Sequence, residues 1–333
     1  LPHTSGSAVR IAGPVFIDFH ELQMVQAQTK PRKRRHLRQA LRLIAIGYLA
    51  ILAIVIFAHV GDRLILLENH RAIDPGGARQ IVIPLESGDV ETWVARSPAA
   101  VTAEPDAFIL MFVGQGDRAD RWVWKTAQGW GQRRIEVWGM NYPGSGGSSG
   151  PNQLSRVAPA ALATYDYMAS IAHGRPILVQ GASLGTVPAL CVAARRPIAA
   201  LTLHNPVPLR QLVLGRQGWW NLWLLAIPVA LQIPADLDSV ANAAKTTAPA
   251  VFIVSDHDEV VPPAYHDLVV NAYGGTNRIV TVRGALHNSG IDASAQVELG
   301  SDIDWLWSQV VPSQVNVGTS WPATDHPYIN TLH

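Results

Sequence analysis

Hydrophobic positions fall into two regimes along this chain. From Ile44 to Val60 they run almost without a break (IAIGYLAILAIVIFAHV), with Tyr48 and His59 as the polar interruptions. From about residue 80 onward, short apolar runs alternate with longer stretches of mixed polarity. The runs IVIPL (81–85) and VETWVA (90–95) flank Ser87-Gly88-Asp89, a hairpin signal. FILMFVG (108–114) is apolar throughout, as expected of a strand buried on both faces. The pattern then predicts a Trp-rich helix over 119–130, a strand over 135–142, a helix over 157–172 closed by Gly174, and a strand over 176–181. A helix over 184–195, a strand over 200–205 and a long apolar insertion at about 207–235 follow. The last elements are strands at 251–255 and 278–284 and helices at 263–272 and about 292–311. Strands alternating with helices imply a mostly parallel sheet covered on both faces.

The first regime reads as a membrane segment. With Leu41 and Leu43 the run approaches the roughly 20 residues that cross a bilayer as a helix. It shows no polar face, which argues against a soluble core helix. It is longer than the apolar part of a cleaved signal peptide, and no A-x-A site follows it. Lys30, Arg32, Lys33, Arg34, Arg35, Arg38 and Arg42 precede it, whereas Arg63 and Arg71 follow. That asymmetry predicts a cytoplasmic N-terminus, with the rest of the chain on the other side. The expected organisation is a basic tail (1–40), an anchor (41–61), a linker (62–79), a folded domain (80–312) and a C-terminal tail (313–333). Residues 1–23 have no clear pattern, and Met24 followed by the basic and apolar runs reads as the natural start; N-terminal sequencing tests this.

Composition sharpens this picture. Hydrophobic residues make up 48% and charged residues 15%, below the usual quarter for a soluble domain. A net charge of +1 gives no general pull toward nucleic acid. The single cysteine, Cys191, excludes an internal disulfide and lies in an apolar helical stretch, as a buried core thiol does. The 12 histidines show no metal-ligand spacing. No cofactor and no metal are expected.

G-x-S-x-G occurs twice. Gly181-Ala182-Ser183-Leu184-Gly185 follows a predicted strand at once and opens into an apolar helix, the context of a nucleophile elbow. Gly146-Gly147-Ser148-Ser149-Gly150 sits in a glycine-rich loop before Pro151, and its serines read as loop residues. A serine hydroxyl needs a base, and the base an orienting acid. The loop after VFIVS supplies Asp256, His257 and Asp258; the loop after RIVTVRG supplies His287. The order Ser, Asp, His is the one expected after such an elbow. The oxyanion needs two donors, and the backbone N–H groups of Leu184 and Gln115 are the candidates.

Residues of about 80–310 resemble the α/β-hydrolase superfamily. They are most similar to membrane-anchored α/β-hydrolase-domain serine hydrolases, the group that includes protein depalmitoylases. The resemblance rests on Gly114-Gln115-Gly116, on Asn141-Tyr142-Pro143-Gly144-Ser145-Gly146 with Ser148-Ser149-Gly150, on the Ser183 elbow, on Asp238-Ser239 to Pro249, on Asp258 with Val261-Pro262, and on His287. It implies an α/β-hydrolase fold with a short cap at about 207–235. It also implies that Asp258 rather than Asp256 is the acid, because the spacing to Val261-Pro262 matches. Relatives carry His-Gly where this chain has Val113-Gly114, and Gly where it has Ser255.

The expected activity is hydrolysis of an ester or thioester by Ser183, His287 and Asp258 without a cofactor, on a small or lipid-like acyl substrate. The apolar insertion, with Trp219, Trp220 and Trp223, reads as cap core, as an acyl-chain pocket or as a face resting on the bilayer. The rivals are a non-catalytic membrane-anchored binding protein and a peptidase or lipase on the same scaffold.

Overall fold

The computed structural model describes residues 19–219 and 223–311. The readings of residues 1–18, of Trp220 and of the tail beyond Val311 lie outside the described residues. Those described fall into two compact units, one up to Ala53 and one from Ile54 onward.

The first unit is helical. Helix α1 spans Phe19–Phe57. Its Arg34–Phe57 portion contains an 18-residue stretch of mean hydropathy 2.5 and is long and apolar enough to cross a membrane, judged by length and composition. At 1.5 Å per residue those 24 residues reach about 36 Å, against about 30 Å of bilayer hydrocarbon. Leu41, Leu43, Ile44, Ile46 and Leu49 are all exposed. The helix ends at Phe57, four residues before the expected end of the anchor.

The second unit is built on an eight-stranded sheet. Its strands are β1 (Arg79–Ile83), β2 (Val90–Arg96), β3 (Ala107–Phe112), β4 (Ile135–Met140), β5 (Ile177–Ala182), β6 (Ala200–His204), β7 (Ala250–Ser255) and β8 (Asn277–Val282). They lie in the order β1-β2-β4-β3-β5-β6-β7-β8. The β1–β2 and β2–β4 pairs are antiparallel and all later pairs parallel. Every residue of β3, β4 and β6 is buried, which explains the uninterrupted apolar run of β3.

Helices α3 (Ala119–Gly129), α4 (Leu154–Ala172), α5 (Thr186–Ala193), α9 (Pro263–Ala272) and α10 (Ala293–Val310) pack on this sheet. All eight residues of α5 are buried, so it is apolar on every side. Cys191 lies there with no exposed surface, and burial pushes its thiol up to about 11. The insertion between β6 and β7 forms α6 (Leu209–Gly218), α7 (Ala226–Gln232) and the short α8 (Ser239–Ala243).

The stretch 62–79 is not the free linker expected from its polarity. Val60–Ile65 forms a separate helix, α2, which packs on α7. Buried Asp62 accepts a hydrogen bond from the Leu154 backbone N–H at 2.9 Å. Asn69 donates to the Gly116 carbonyl at 2.8 Å, and the Asn69 backbone N–H donates to Ser145 Oγ at 3.2 Å. Polar residues here serve internal partners, a use that hydropathy alone does not distinguish from solvent exposure.

Candidate active site

Ser183 sits where β5 turns into a helix. Its φ of +50° is left-handed, a conformation that non-glycine residues rarely adopt. A one-turn 3₁₀ helix over Ser183–Gly185 precedes α5, so the expected helix start at 184 begins as a tighter turn. The flanking glycines permit the close approach. A Cβ on Gly185 would stand 2.1 Å from the Phe112 carbonyl oxygen, and one on Gly181 would stand 2.6 Å from the Gly185 carbonyl oxygen. Thr186 ties the turn to the chain after β6: its hydroxyl donates to the Ser183 carbonyl at 2.7 Å and accepts from the Val207 N–H at 2.9 Å.

The structure brings Ser183, His287 and Asp258 together. Ser183 Oγ lies 2.9 Å from His287 Nε2, and His287 Nδ1 lies 2.6 Å from Asp258 Oδ2. The Nδ1–H donates to the carboxylate, which leaves Nε2 as acceptor for the serine hydroxyl. Asp258 is buried, and its Oδ1 accepts from the Val260 and Val261 N–H groups at 2.9 and 2.7 Å. Burial raises the Asp258 carboxyl, but hydrogen bonds from His266, His287 and the Val261 N–H outweigh it and hold the carboxyl well below the usual range. Its neighbours play no such part: Asp256 pairs with exposed His257 at 2.7 Å.

One buried partner of Asp258 was not expected from the sequence. His266, on α9 and 1% exposed, directs Nε2 to Asp258 Oδ2 at 3.1 Å and Nδ1 to the Pro206 carbonyl at 3.0 Å. Both ring nitrogens thus face oxygen acceptors. The His287 loop is held from two further sides. Glu259 accepts from the His287 N–H at 2.9 Å, and Asn205 donates to the His287 carbonyl at 3.1 Å. Asn205 also bonds both the backbone N–H and the hydroxyl of Ser255, at 2.9 and 3.2 Å. Ser255 thus fixes the Asn205 side chain that holds this loop.

The expected oxyanion donors flank the serine. Leu184 is the second residue of the 3₁₀ turn, where a backbone N–H has no intrahelical acceptor. Gly114 lies against Ser183, with a notional Cβ 3.6 Å from Ser183 Cβ, and Gln115 follows it. The Gln115 side chain donates to the Leu64 and Ile65 carbonyls at 2.9 and 2.8 Å, pinning this loop to the end of α2. Tyr142 donates to the Val113 carbonyl at 2.8 Å. The serines of the second G-x-S-x-G are structural: Ser148 Oγ accepts from the Glu91 N–H, and Ser149 Oγ from the Asp89 N–H.

A cavity of about 300 Å³ opens at Ser183 and His287. Its walls come from β3, the 113–117 loop, α3 and β5, with Val260 and Asn288 beside His287. Among the described residues, none of the 207–235 insertion lines it. The insertion instead leans on the Asp258 side: Arg216 donates to the Glu259 carbonyl, and Gly215 packs against the Tyr265 hydroxyl. The described part of this cavity lies on the sheet face.

No family model matches the chain. Two uncharacterized proteins of Mycobacterium tuberculosis, from strains CDC 1551 / Oshkosh and ATCC 25618 / H37Rv, are each 27% identical to it over 152 residues. These matches cover 45% of this chain and 52% of each relative, so the chain spans about half the length of the curated relatives it matches. Among solved structures, Est1E from Butyrivibrio proteoclasticus superposes with a TM-score of 0.54 at 16% identity, covering 69% of this chain and 98% of that one. An esterase of Pyrococcus furiosus gives 0.53 at 13% identity, covering 74% and 97%. A cold-adapted esterase from an Arctic intertidal metagenomic library gives 0.51 at 18%, covering 70% and 94%. The chain has the α/β-hydrolase fold.

Proposed function

We propose that this protein is a membrane-anchored serine hydrolase that cleaves carboxylic ester or thioester bonds through an acyl-enzyme. The observation that carries this reading is the continuous relay from Ser183 Oγ to His287 (2.9 Å) to Asp258 (2.6 Å) at the C-terminal edge of a parallel sheet. His287 Nε2 takes the hydroxyl proton as Ser183 Oγ attacks the carbonyl carbon. Asp258 holds the ring in the required tautomer and stabilises its cation. The N–H groups of Leu184 and Gln115 receive the oxyanion. Collapse of the tetrahedral intermediate breaks the bond to the leaving oxygen or sulfur, which takes the proton from His287. Water, deprotonated by His287, then attacks the acyl-enzyme, and the acid leaves as the proton returns to Ser183.

The esterases that share the fold support an ester as the bond broken. The Arg34–Phe57 helix and the basic residues before it support an anchor with a cytoplasmic N-terminus and a hydrolase domain on the opposite side. A fluorophosphonate probe tests the activated serine. It should label the wild type and neither Ser183→Ala nor His287→Ala, and Ser183→Ala should lower ester turnover by about 10⁴-fold or more. Unlabelled but folded wild type would leave the binding-protein reading in its place.

A further inference from the structure

The cavity at Ser183 descends along the face of the sheet that α3 covers. Alternate residues of β5 point to opposite faces. Gly181 faces α5, since a Cβ there would meet Thr186 and Ala189. Gln180 therefore faces the other way, in register with Met111 of β3. Gly139 of β4 lies beside Met111, and a Cβ on it would meet Val123 of α3 as well as Met111, which places Gln180 on the α3 side.

Two side chains in this part of the cavity have unused hydrogen-bonding atoms. Thr126 of α3 and Gln180 are 1% and 6% exposed, and both line the cavity. Thr126 Oγ1 and Gln180 Oε1 have no partner among the described residues. Buried polar atoms are rarely left so, and here both border a space that a ligand can enter. Gln180 precedes Ser183 by three residues, about 10 Å along an extended strand. Thr126 lies seven residues into α3, about 10 Å from its start. Both line the same cavity as Ser183. Met111, Phe112 and Trp122 supply apolar wall on the same cavity. The leaving group must stay within reach of His287 Nε2, on the side lined by Asn288 and Val260. The deep arm is left for the acyl group.

Resting on the serine-hydrolase reading above, we infer that the acyl group of the substrate ends in a hydrogen-bonding function, a hydroxyl or an amide, held between Thr126 Oγ1 and Gln180 Oε1. A terminal hydroxyl suits the pair because it donates to the glutamine oxygen while accepting from the threonine hydroxyl. The small volume of the cavity points the same way, toward an acyl group of moderate length rather than a long hydrocarbon chain.

The test uses 4-methylumbelliferyl esters in matched pairs on the full-length protein: 6-hydroxyhexanoate against heptanoate, and 8-hydroxyoctanoate against nonanoate. Wild type should favour the hydroxylated member of at least one pair by about tenfold in kcat/KM, the worth of one good hydrogen bond. Thr126→Val and Gln180→Met should lose that advantage, whereas Thr126→Ser should retain it. Equal kcat/KM within both pairs, or an advantage that survives in both Thr126→Val and Gln180→Met, overturns the inference and leaves these atoms to solvent. Fluorophosphonate labelling separates this failure from a deeper one. A wild type that labels and cleaves alkyl esters without preference refutes the polar subsite alone. A folded wild type that neither labels nor cleaves refutes the hydrolase reading and this inference with it.

Discussion

At the scale of single residues, Asp258 is held by four hydrogen bonds, two from ring nitrogens and two from backbone N–H groups. Because its carboxyl is depressed in the folded protein, the stability it contributes is present above its unfolded value of about 4 and is lost as pH falls below that. Replacing His266 with Phe removes one of those bonds. Urea unfolding between pH 3 and 7 should then show a loss of about 1–3 kcal/mol at neutral pH, with a shallower decline toward pH 3 than in wild type, because the carboxyl is less depressed in the folded variant. An unchanged acid profile would separate His266 from the Asp258 carboxyl. Gly185 makes a steric demand of a different kind. Its notional Cβ stands 2.1 Å from a backbone oxygen that cannot swing away, so Gly185→Ala should cost about 3 kcal/mol or more, read as a lower thermal midpoint. The elbow serine and its glycines were legible in the sequence because a short local motif encodes them. His266 was not, since it is one polar residue within a helical stretch, and its meaning comes from Asp258 eight positions earlier and Pro206 sixty positions earlier.

Between elements, the determining contact is that of α2 and the Asn69 segment with the loop after β3. Gln115 reaches the α2 carbonyls, and Asn69 reaches the Gly116 carbonyl. The chain just beyond the apolar helix therefore buttresses the loop expected to hold the oxyanion. Asn69→Ala should lower kcat about tenfold with little change in KM, because a loosened donor loop weakens transition-state binding more than substrate binding. A change confined to KM would instead assign Asn69 to substrate binding. No sequence pattern announced this brace: Asn69 lies in a stretch without periodicity, and its partner is 47 residues away. Apart from α6, α7 and α8, the strand and helix succession from β1 to α10 did follow from apolar periodicity. Element ends shifted by up to three residues, as at α4, which begins at Leu154 rather than 157.

For the whole molecule, charge asymmetry around the Arg34–Phe57 helix predicts that the second unit lies outside the cytoplasm. Cys191 is fully buried, so a cysteine introduced at exposed Glu298 reports cleanly. Glu298→Cys in intact cells should react with a membrane-impermeant maleimide; reaction only after lysis would reverse the topology. The sequence by itself determined the alternation of strands and helices, the apolar helix, and the chain order of Ser183, Asp258 and His287. Those features are written in local periodicity and short motifs, which nearest neighbours along the chain suffice to express. Tertiary structure alone decided that His266 and Asn205 close around Asp258 and His287. It also decided that Asn69 braces the donor loop, and that, among the described residues, the pocket is walled by β3, β5 and α3. Each of these depends on which residues meet across the sheet, and that is settled by strand order and register, not by spacing along the chain.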